Sequence, residues 1–414
     1  MTTQHPPGTD RLRFGADHVP SAGRLRSWLD FSADAARRDF EDLAGLGLDH
    51  VRVLPIWPWI QPSRSLIRRR GIDDLLELID VAAEFALEVA VDLWQGHLAS
   101  FDLLPSWVPA RHQYGVRTDA LVRTGLTAYV EQVCRAVATR ANVFAVTLGP
   151  EADHLRPAER VDPAERDDRA EQDVRTAELL AAARAAAPRL LTLCPLDGAA
   201  RHGPGQPVTG GPGGPVTVRT RGYGRIGARE DPLGPAATSH ADYLVELAAA
   251  SSADPLRPVW LQEVGVPRPE VPATEAAAVR LTIDQVAANP ALWGITWRCS
   301  HDTDRRAAGF PDVEGEHGLF TVDRRRTPAA SQLASRIAEL RARRALAVDR
   351  PALVCDLGPD TPPGHRTELA PGGAFHAEWV RLRRAGPLAV LPAHRAEDGA
   401  YLAARRIGTV LART

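Results

Sequence analysis

Residues 33–54, ADAARRDFEDLAGLGLDHVRVL, contain in one stretch the two kinds of element that decide the fold. Apolar side chains in Ala33–Leu46 recur at the spacing of an amphipathic helix, whereas His50–Leu54 is a short apolar run that predicts a buried strand. The same alternation of strands and helices continues on both sides of this stretch. It is typical of a parallel α/β architecture, in which helices cover the faces of the sheet.

Eight such strands are predicted, and with their intervening helices they favour a closed (β/α)8 TIM barrel over an open doubly wound sheet. An open sheet that binds a dinucleotide would carry a glycine-rich motif after its first strand, and this sequence has none there. The predicted strands are Leu12–Ala16, His50–Leu54, Glu88–Leu93, Val143–Leu148, Leu190–Leu193, Val216–Val218, Val259–Val264 and Trp293–Trp297. The predicted helices are Ala33–Leu46, Ile72–Phe85, Leu121–Thr139, Gln172–Ala186, Ala241–Ala250, Ala276–Ala287 and Pro328–Arg343.

The pattern changes near Ala345, where short strands and short helices replace the barrel repeat. Strands are predicted at Ala352–Cys355 and Leu388–Leu391, with a helix around Phe375–Arg384. We therefore expect two units, a barrel over residues 11–345 and a small C-terminal α/β domain over residues 346–414. A unit this small has a limited core of its own, so we expect it to pack on the barrel, and the sequence assigns it no role.

Composition excludes several classes of function. The formal net charge of −2 argues against a nucleic-acid partner, and all 50 basic residues are arginine, which excludes a Schiff base or a P-loop lysine. No run is long and apolar enough for a membrane helix, and residues 1–10 lack a signal-peptide core, so we expect a soluble, cytoplasmic protein, and the residue usage suggests a bacterial source. The four cysteines are far apart, and no metal-ligand spacing occurs, so no metal and no cofactor are expected.

Two glutamates fall where the active sites of such barrels are built, at the carboxyl ends of strands. Glu151 follows the predicted fourth strand, and Glu263 closes the apolar run of the seventh. These strands face each other across the barrel mouth, where two carboxylates about 5–5.5 Å apart can act as nucleophile and general acid in a retaining glycosidase. The alternative from sequence is that each glutamate belongs to an unrelated ion pair.

Several tryptophans and polar residues lie near the same predicted rim. Tryptophan rings stack on the apolar C–H faces of sugars, although ordinary packing explains any one of them equally well. Arg52, inside an apolar strand, needs an anionic partner, most naturally a catalytic carboxylate. The histidines could donate to sugar hydroxyls, but a hydrogen-bonded structural role is the stronger expectation for either alone. The candidate substrate-binding residues are Arg52, Trp57, His97, Trp107, Tyr223, Trp297, His301 and Asp302.

Four stretches resemble glycoside hydrolase family 5, of clan A, in particular the actinobacterial and bifidobacterial subgroup that contains β-mannosidases acting on mannosyl-β-1,4-N-acetylglucosamine. The resemblance spans roughly residues 11–345. It implies that Glu263 is the nucleophile, that Glu151 is the acid/base, and that Arg52 braces the nucleophile. The stretches are GLDHVRVLPIWPWIQP (47–62), QGHLASFDLLPSW (95–107), VWLQEVG (259–265) and LWGITWRCSHD (292–302).

The sequence also departs from that family around the two carboxylates. The family places asparagine before the acid/base, where it holds the sugar 2-hydroxyl, and this chain has Pro150, which offers no side-chain donor. Paired tryptophans of the subgroup on the eighth strand become Trp297 and Arg298. The first strand ends in Asp17-His18 where the family has Asn-Tyr, and a Gly/Pro-rich stretch at 197–215 replaces an ordered βα unit.

Two functions follow from these observations. The first is a retaining, β-mannosidase-like hydrolase that acts on a small β-linked oligosaccharide through the two glutamates. The second is a catalytically weakened glycosidase paralogue that binds a glycan without turnover, with other barrel chemistry such as transglycosylation as a further alternative. The sugar epimer, the linkage and the oligomeric state are not predicted from sequence.

Overall fold

A ring of parallel strands covered by helices forms the larger part of the molecule in this computed structural model. The strands, numbered along the chain, are β1 (Arg13–Asp17), β2 (His50–Val53), β3 (Glu88–Trp94), β4 (His97–Leu98), β5 (Phe101–Asp102), β6 (Val143–Leu148), β7 (Leu191–Leu193), β8 (Leu196–Asp197), β9 (Val216–Arg219), β10 (Val259–Val264) and β11 (Leu292–Trp297). The structure describes residues 11–94, 97–98, 101–108, 120–148, 166–194, 196–197, 214–220, 231–268, 273–304, 315–342, 349–357 and 367–411.

Helices connect and cover these strands. In the first long helix, Ser32 accepts a hydrogen bond from the backbone N–H of Ala35, while Phe40 and Leu43 turn their apolar side chains to the core. The helices are α1 (Ala33–Ala44), α2 (Trp57–Ile60), α3 (Arg69–Glu84), α4 (Ala120–Val137), α5 (Arg166–Ala186), α6 (Pro235–Thr238), α7 (His240–Ala250), α8 (Glu275–Val286) and α9 (Pro328–Ala342). No helix in these described ranges combines the length and the apolarity that crossing a bilayer requires.

The order of the main sheet is β7-β6-β3-β2-β1-β11-β10-β9-β8, with parallel pairing throughout, while β4 and β5 form a separate antiparallel pair. The two end strands, β7 and β8, are consecutive in the chain, and together they take the place of the fifth barrel strand. One pairs with β6 and the other with β9, so the ring is nearly closed at this point. This is a (β/α)8 barrel, and the predicted fold class is confirmed.

The floor of the barrel is an aromatic cluster around a fully buried histidine. The ring of His50 lies 5.5 Å from that of Trp260 and 5.8 Å from that of Phe144. Its Nε2 lies 2.9 Å from Oγ1 of Thr296. Gly15 on β1 is required here, because a Cβ at that position would overlap the His50 ring. The floor is therefore a packed core, and any site must lie at the opposite end of the ring.

A second, three-stranded sheet follows the barrel and packs on α7. Its central strand is β12 (Arg350–Cys355), which lies between β13 (Ala389–Pro392) and β14 (Ile407–Leu411). Every residue of α7 is buried, because the barrel lies on one side of this helix and the small sheet on the other. The division at residue 345 stays a prediction, since residues 343–348 lie outside the described ranges. The elements of this part are β12 (Arg350–Cys355), α10 (Ala374–Arg383), β13 (Ala389–Pro392), α11 (Gly399–Ala404) and β14 (Ile407–Leu411).

Candidate active site

Charged side chains converge at the carboxyl ends of the barrel strands. Inward-facing positions near the end of a strand alternate with positions that face the helices, which explains why one or two charged residues per strand reach the mouth. All of them are buried or nearly so, with Glu263 only 2% exposed. The residues that meet there are Asp17 of β1, Arg52 of β2, Asp92 of β3, Arg219 of β9, Glu263 of β10 and Arg298, directly after β11.

Arg52 is the central cation of this network. Its Nε and Nη2 donate to the two carboxylate oxygens of Asp17 at 2.7 and 2.8 Å, and its Nη1 donates to Asp92 at 3.2 Å. Burial alone would lower the pKa of Arg52, but the charges of Asp17, Asp92 and Glu263 outweigh it and raise that pKa. The guanidinium therefore stays charged although it is 1% exposed.

At Asp92, burial has a larger effect on the pKa than the neighbouring charges do. Burial raises the pKa of this carboxyl from 3.8 to about 6, even though the nearby guanidinium groups of Arg52 and Arg219 lower it. Asp92 thus changes its charge in the mildly acidic range.

A β-bulge sets the position of Glu263. Leu261 pairs with Val218, but the next paired positions are Glu263 and Arg219, so Gln262 is an extra residue on β10. This register places Glu263 directly beside Arg219, which donates from Nε to Oε2 at 2.6 Å and also from Nη2.

Two further arginines approach the same carboxylate. Nη2 of Arg52 lies 3.5 Å from Oε2 of Glu263, and Nη1 of Arg298 lies 3.2 Å from Oε1. Opposite charge within this range favours the ionised form of a carboxyl group. Glu263 is consequently held as an oriented carboxylate at the barrel mouth, which is the state that a nucleophile requires.

The predicted tryptophans Trp57 and Trp107 lie together beside the mouth. Their ring centroids are 5.6 Å apart in an edge-to-face arrangement, and each indole N–H donates to an oxygen of Gln61. Trp57 is 1% exposed and lies in the core, whereas Trp107 is half-buried. Trp107 is therefore the more accessible surface of the pair.

On the eighth-strand side, Trp297 is buried in the core, whereas His301 and Asp302 are engaged by protein partners. Trp297, at the end of β11, is 1% exposed. Nδ1 of His301 lies 3.0 Å from Oγ of Ser300, and Nε2 of the same ring lies 3.3 Å from Oδ2 of Asp42. Asp302 accepts hydrogen bonds from the backbone N–H of Gly318, at 2.8 Å, and from a side chain, the guanidinium of Arg268. His301 and Asp302 thus fasten the chain that follows β11.

Three predicted residues cannot be placed in this network. Glu151 and Tyr223 lie outside the described residues, and His97 lies in the short strand β4. The distance between the two glutamates therefore stays a prediction. In the described part of the chain, no group of three or more His, Cys, Asp or Glu side chains is arranged to hold a metal ion.

Sequence reasoning missed Arg219 and Asp92 as members of the site. Both lie in or at the end of a buried apolar run, in Ala90–Leu93 and Val216–Arg219. The criterion that identified Glu263, a charged residue at the end of a buried strand, would have found Arg219 as well.

Comparison with known proteins gives a match among solved structures. A GH5_18 protein from Streptomyces cattleya in complex with GlcNAc is 38% identical, with a TM-score of 0.90, covering 98% of this chain and 99% of that chain. A variant of GH5_18 from the same organism with one glutamate changed to alanine, in complex with Manb1-4GlcNAc, is 38% identical, with a TM-score of 0.88 and coverage of 97% and 98%.

A GH5_18 variant from Bifidobacterium longum subsp. longum, also with a glutamate changed to alanine and in complex with Manb1-4GlcNAc, is 28% identical, with a TM-score of 0.86 and coverage of 97% and 96%. No family model and no curated protein matches the chain.

Proposed function

The chain belongs to GH5_18, subfamily 18 of glycoside hydrolase family 5, and on that premise we propose that it is a retaining, β-mannosidase-like glycosidase. Its substrate would be a small β-linked oligosaccharide, with Glu263 as the nucleophile and Glu151 as the acid/base. The observation that carries this proposal is the buried Glu263 carboxylate, oriented at the barrel mouth by Arg219 and Arg52.

In the first step, an oxygen of Glu263 attacks the anomeric carbon of the glycone. The glycosidic C–O bond breaks, and the aglycone oxygen leaves with that electron pair and takes a proton from Glu151. In the second step, Glu151 takes a proton from water, the water oxygen bonds to the anomeric carbon, and Glu263 leaves as a carboxylate. Two inversions at the same carbon leave the β-configuration unchanged.

Arg52 and Arg219 would orient the nucleophile during both steps. The guanidinium of Arg52 is fixed by Asp17 and Asp92, and that of Arg219 donates to Glu263 itself, so both need little rearrangement as charge shifts at Glu263. The aromatic pair Trp57 and Trp107 lies where the chain leaves β2, and the half-buried ring of Trp107 would offer a stacking surface for a sugar. Relatives that hold Manb1-4GlcNAc support a disaccharide-sized substrate.

The proposal is tested with 4-nitrophenyl β-mannoside, β-glucoside and β-galactoside, comparing the wild type with Glu263→Ala. We expect turnover of one glycone with β-configured product, and a loss of at least about a thousandfold in the variant, as is usual for a covalent nucleophile. The surface substitution Glu84→Ala, which removes an exposed partner of Arg37, serves as a control and should retain activity. Absence of turnover across the glycosides, or unchanged turnover in Glu263→Ala, would refute the assignment.

A second candidate function, glycan binding with weakened catalysis, is favoured by the contact of Arg298 with Oε1 of Glu263. A guanidinium there occupies space next to the nucleophilic oxygen. Isothermal titration with Manb1-4GlcNAc distinguishes the two candidate functions. Saturable binding without release of mannose supports glycan binding and refutes the active glycosidase.

A further inference from the structure

The two oxygens of the Glu263 carboxylate contact different guanidinium groups. Oε2 is held by Nε of Arg219 at 2.6 Å, by Nη2 of the same residue, and by Arg52 at 3.5 Å. Oε1 is approached by Arg298, whose Nη1 lies 3.2 Å away. Arg52 and Arg219 belong to barrel strands, whereas Arg298 follows the last one. The two oxygens are therefore chemically distinct before any substrate arrives.

This difference indicates which oxygen attacks. When a carboxylate forms a glycosyl ester, one oxygen becomes the carbonyl oxygen and remains a good acceptor, while the other bonds to carbon and becomes a poor one. Attack through Oε1 keeps the hydrogen bonds from Arg219 to Oε2 and, among the described residues, gives up the ion-pair contact with Arg298. Attack through Oε2 would lose the shorter bonds, so Oε1 is the favoured nucleophilic atom.

The backbone around Arg298 is built to hold it there. Its N–H donates to the carbonyl of Val264 at 2.7 Å, next to Glu263. A Cβ on Gly265 would lie 3.0 Å from the Arg298 Cβ and would push it aside by a few tenths of an ångström, so glycine favours this close approach. Cys299, the next residue, has a φ of 64°, a left-handed conformation that costs a non-glycine residue about 1–2 kcal/mol. Strain of this kind is concentrated at functional sites.

We propose that Arg298 is a catalytic residue with opposite effects on the two steps: it slows formation of the glycosyl ester and accelerates its hydrolysis. This inference rests on the proposed function. The ion pair of Arg298 stabilises Oε1 as a carboxylate oxygen and does not persist once Oε1 bonds to the anomeric carbon. Formation of the glycosyl ester is therefore slowed. Hydrolysis of the ester, in which the C–O electron pair returns to Oε1, is accelerated because Arg298 donates to the developing charge.

The test is stopped-flow release of dinitrophenol from 2,4-dinitrophenyl β-mannoside by wild type and Arg298→Met, which keeps the bulk and removes the donor. In the variant we expect ester formation to be roughly tenfold faster and ester hydrolysis roughly tenfold or more slower, the range of a charged hydrogen bond. The result is a burst of one dinitrophenol per site, and a glycosyl adduct on Glu263 in the intact mass. Arg298→Gln should show the same direction if the methionine variant folds poorly.

Arg219→Met is the matched control, because Arg219 binds the other oxygen. It should slow both steps and give no burst. The inference is overturned if Arg298→Met slows both steps equally or forms no adduct while the wild type turns over normally. If neither the wild type nor any variant releases dinitrophenol, the proposed function itself is refuted. This outcome differs from failure of the Arg298 inference alone, in which the wild type still turns over.

Discussion

At the scale of single residues, the buried carboxyl of Asp92 makes stability depend on pH. Its pKa is raised from 3.8 to about 6 by burial, so the folded state binds the proton more tightly than the unfolded chain. The stabilising contribution is complete below pH 3.8 and is lost as the pH rises through 6, by about 3 kcal/mol in total. Asp92→Asn, which stays neutral, should lack this loss.

Urea unfolding at pH 4.5 and pH 7.5 checks this expectation. The decrease in unfolding free energy between the two pH values should be larger in the wild type than in Asp92→Asn. Asp73→Asn is the control, since the Asp73 side chain is 57% exposed, and it should follow the wild type. Equal decreases in the wild type and Asp92→Asn would contradict the raised pKa.

The sequence identifies some residues of the site and not others. Glu263 and Arg52 can be found because a charge within a buried run is unusual wherever the strand lies. That Arg219 is the partner of Glu263 depends on the bulge at Gln262, which shifts the register between β9 and β10. Register between strands 44 residues apart is a long-range property, and no local pattern predicts it.

At the scale of elements, two helices are followed by a residue in the left-handed conformation, which is alanine in one case and glycine in the other. After α3, Ala86 has a φ of 56°, its N–H donates to Ala83, and Leu87 donates to Ala82, which is a Schellman motif. After α1, Gly47 has a φ of 79°. Glycine adopts this conformation without a steric penalty, so the sequence is better adapted at the end of α1 than at the end of α3.

Ala86→Gly should therefore stabilise the protein by about 1 kcal/mol, because Ala86 is exposed and loses little contact. Gly47→Ala should destabilise it by a similar amount or more, since the new Cβ would also approach Arg341 at 3.2 Å. Chemical denaturation of the two variants checks both signs. A loss of stability in Ala86→Gly would contradict the assignment of strain at this helix end.

All eight predicted strands are present, because each is a short apolar run that differs from the helical or Gly/Pro-rich patterns on either side of it. What the sequence does not reveal is that the fifth strand is split into β7 and β8. The Gly/Pro-rich stretch at 197–215 indicates irregularity after this strand, but pairing on two different sides is a property of the closed ring.

At the scale of the whole molecule, a buried glutamate joins the barrel to the small sheet. Glu246 of α7 accepts hydrogen bonds from the side chains of Arg350 and Arg405 and from the N–H of Val390, all in the C-terminal part. Burial would raise the pKa of Glu246, but the two arginines outweigh it and lower that pKa. The carboxylate is thus ionised and shared between two units of the chain.

Glu246→Gln should lower the unfolding free energy by about 3–5 kcal/mol, because two buried guanidinium groups lose their anionic partner. Differential scanning calorimetry measures the change and also reports whether the small sheet then melts before the barrel. Glu131→Gln, which breaks an exposed i,i+4 pair with Arg135, should cost less than about 1 kcal/mol. Similar losses in the two variants would show that Glu246 is not the connecting residue.

The split fifth strand determines where the hydrogen-bonded sheet of the barrel opens locally. Among the described residues, β2 and β3 pair over four positions and β8 and β9 over two, so the seam at β8 has fewer hydrogen-bonded positions than the seam at β2. Amide hydrogens along this seam should exchange with solvent through small local openings, long before those of β2 exchange. Asp197 and Arg219 are neighbours in the backbone pairing across this seam, so each opening would loosen the arginine that holds Glu263.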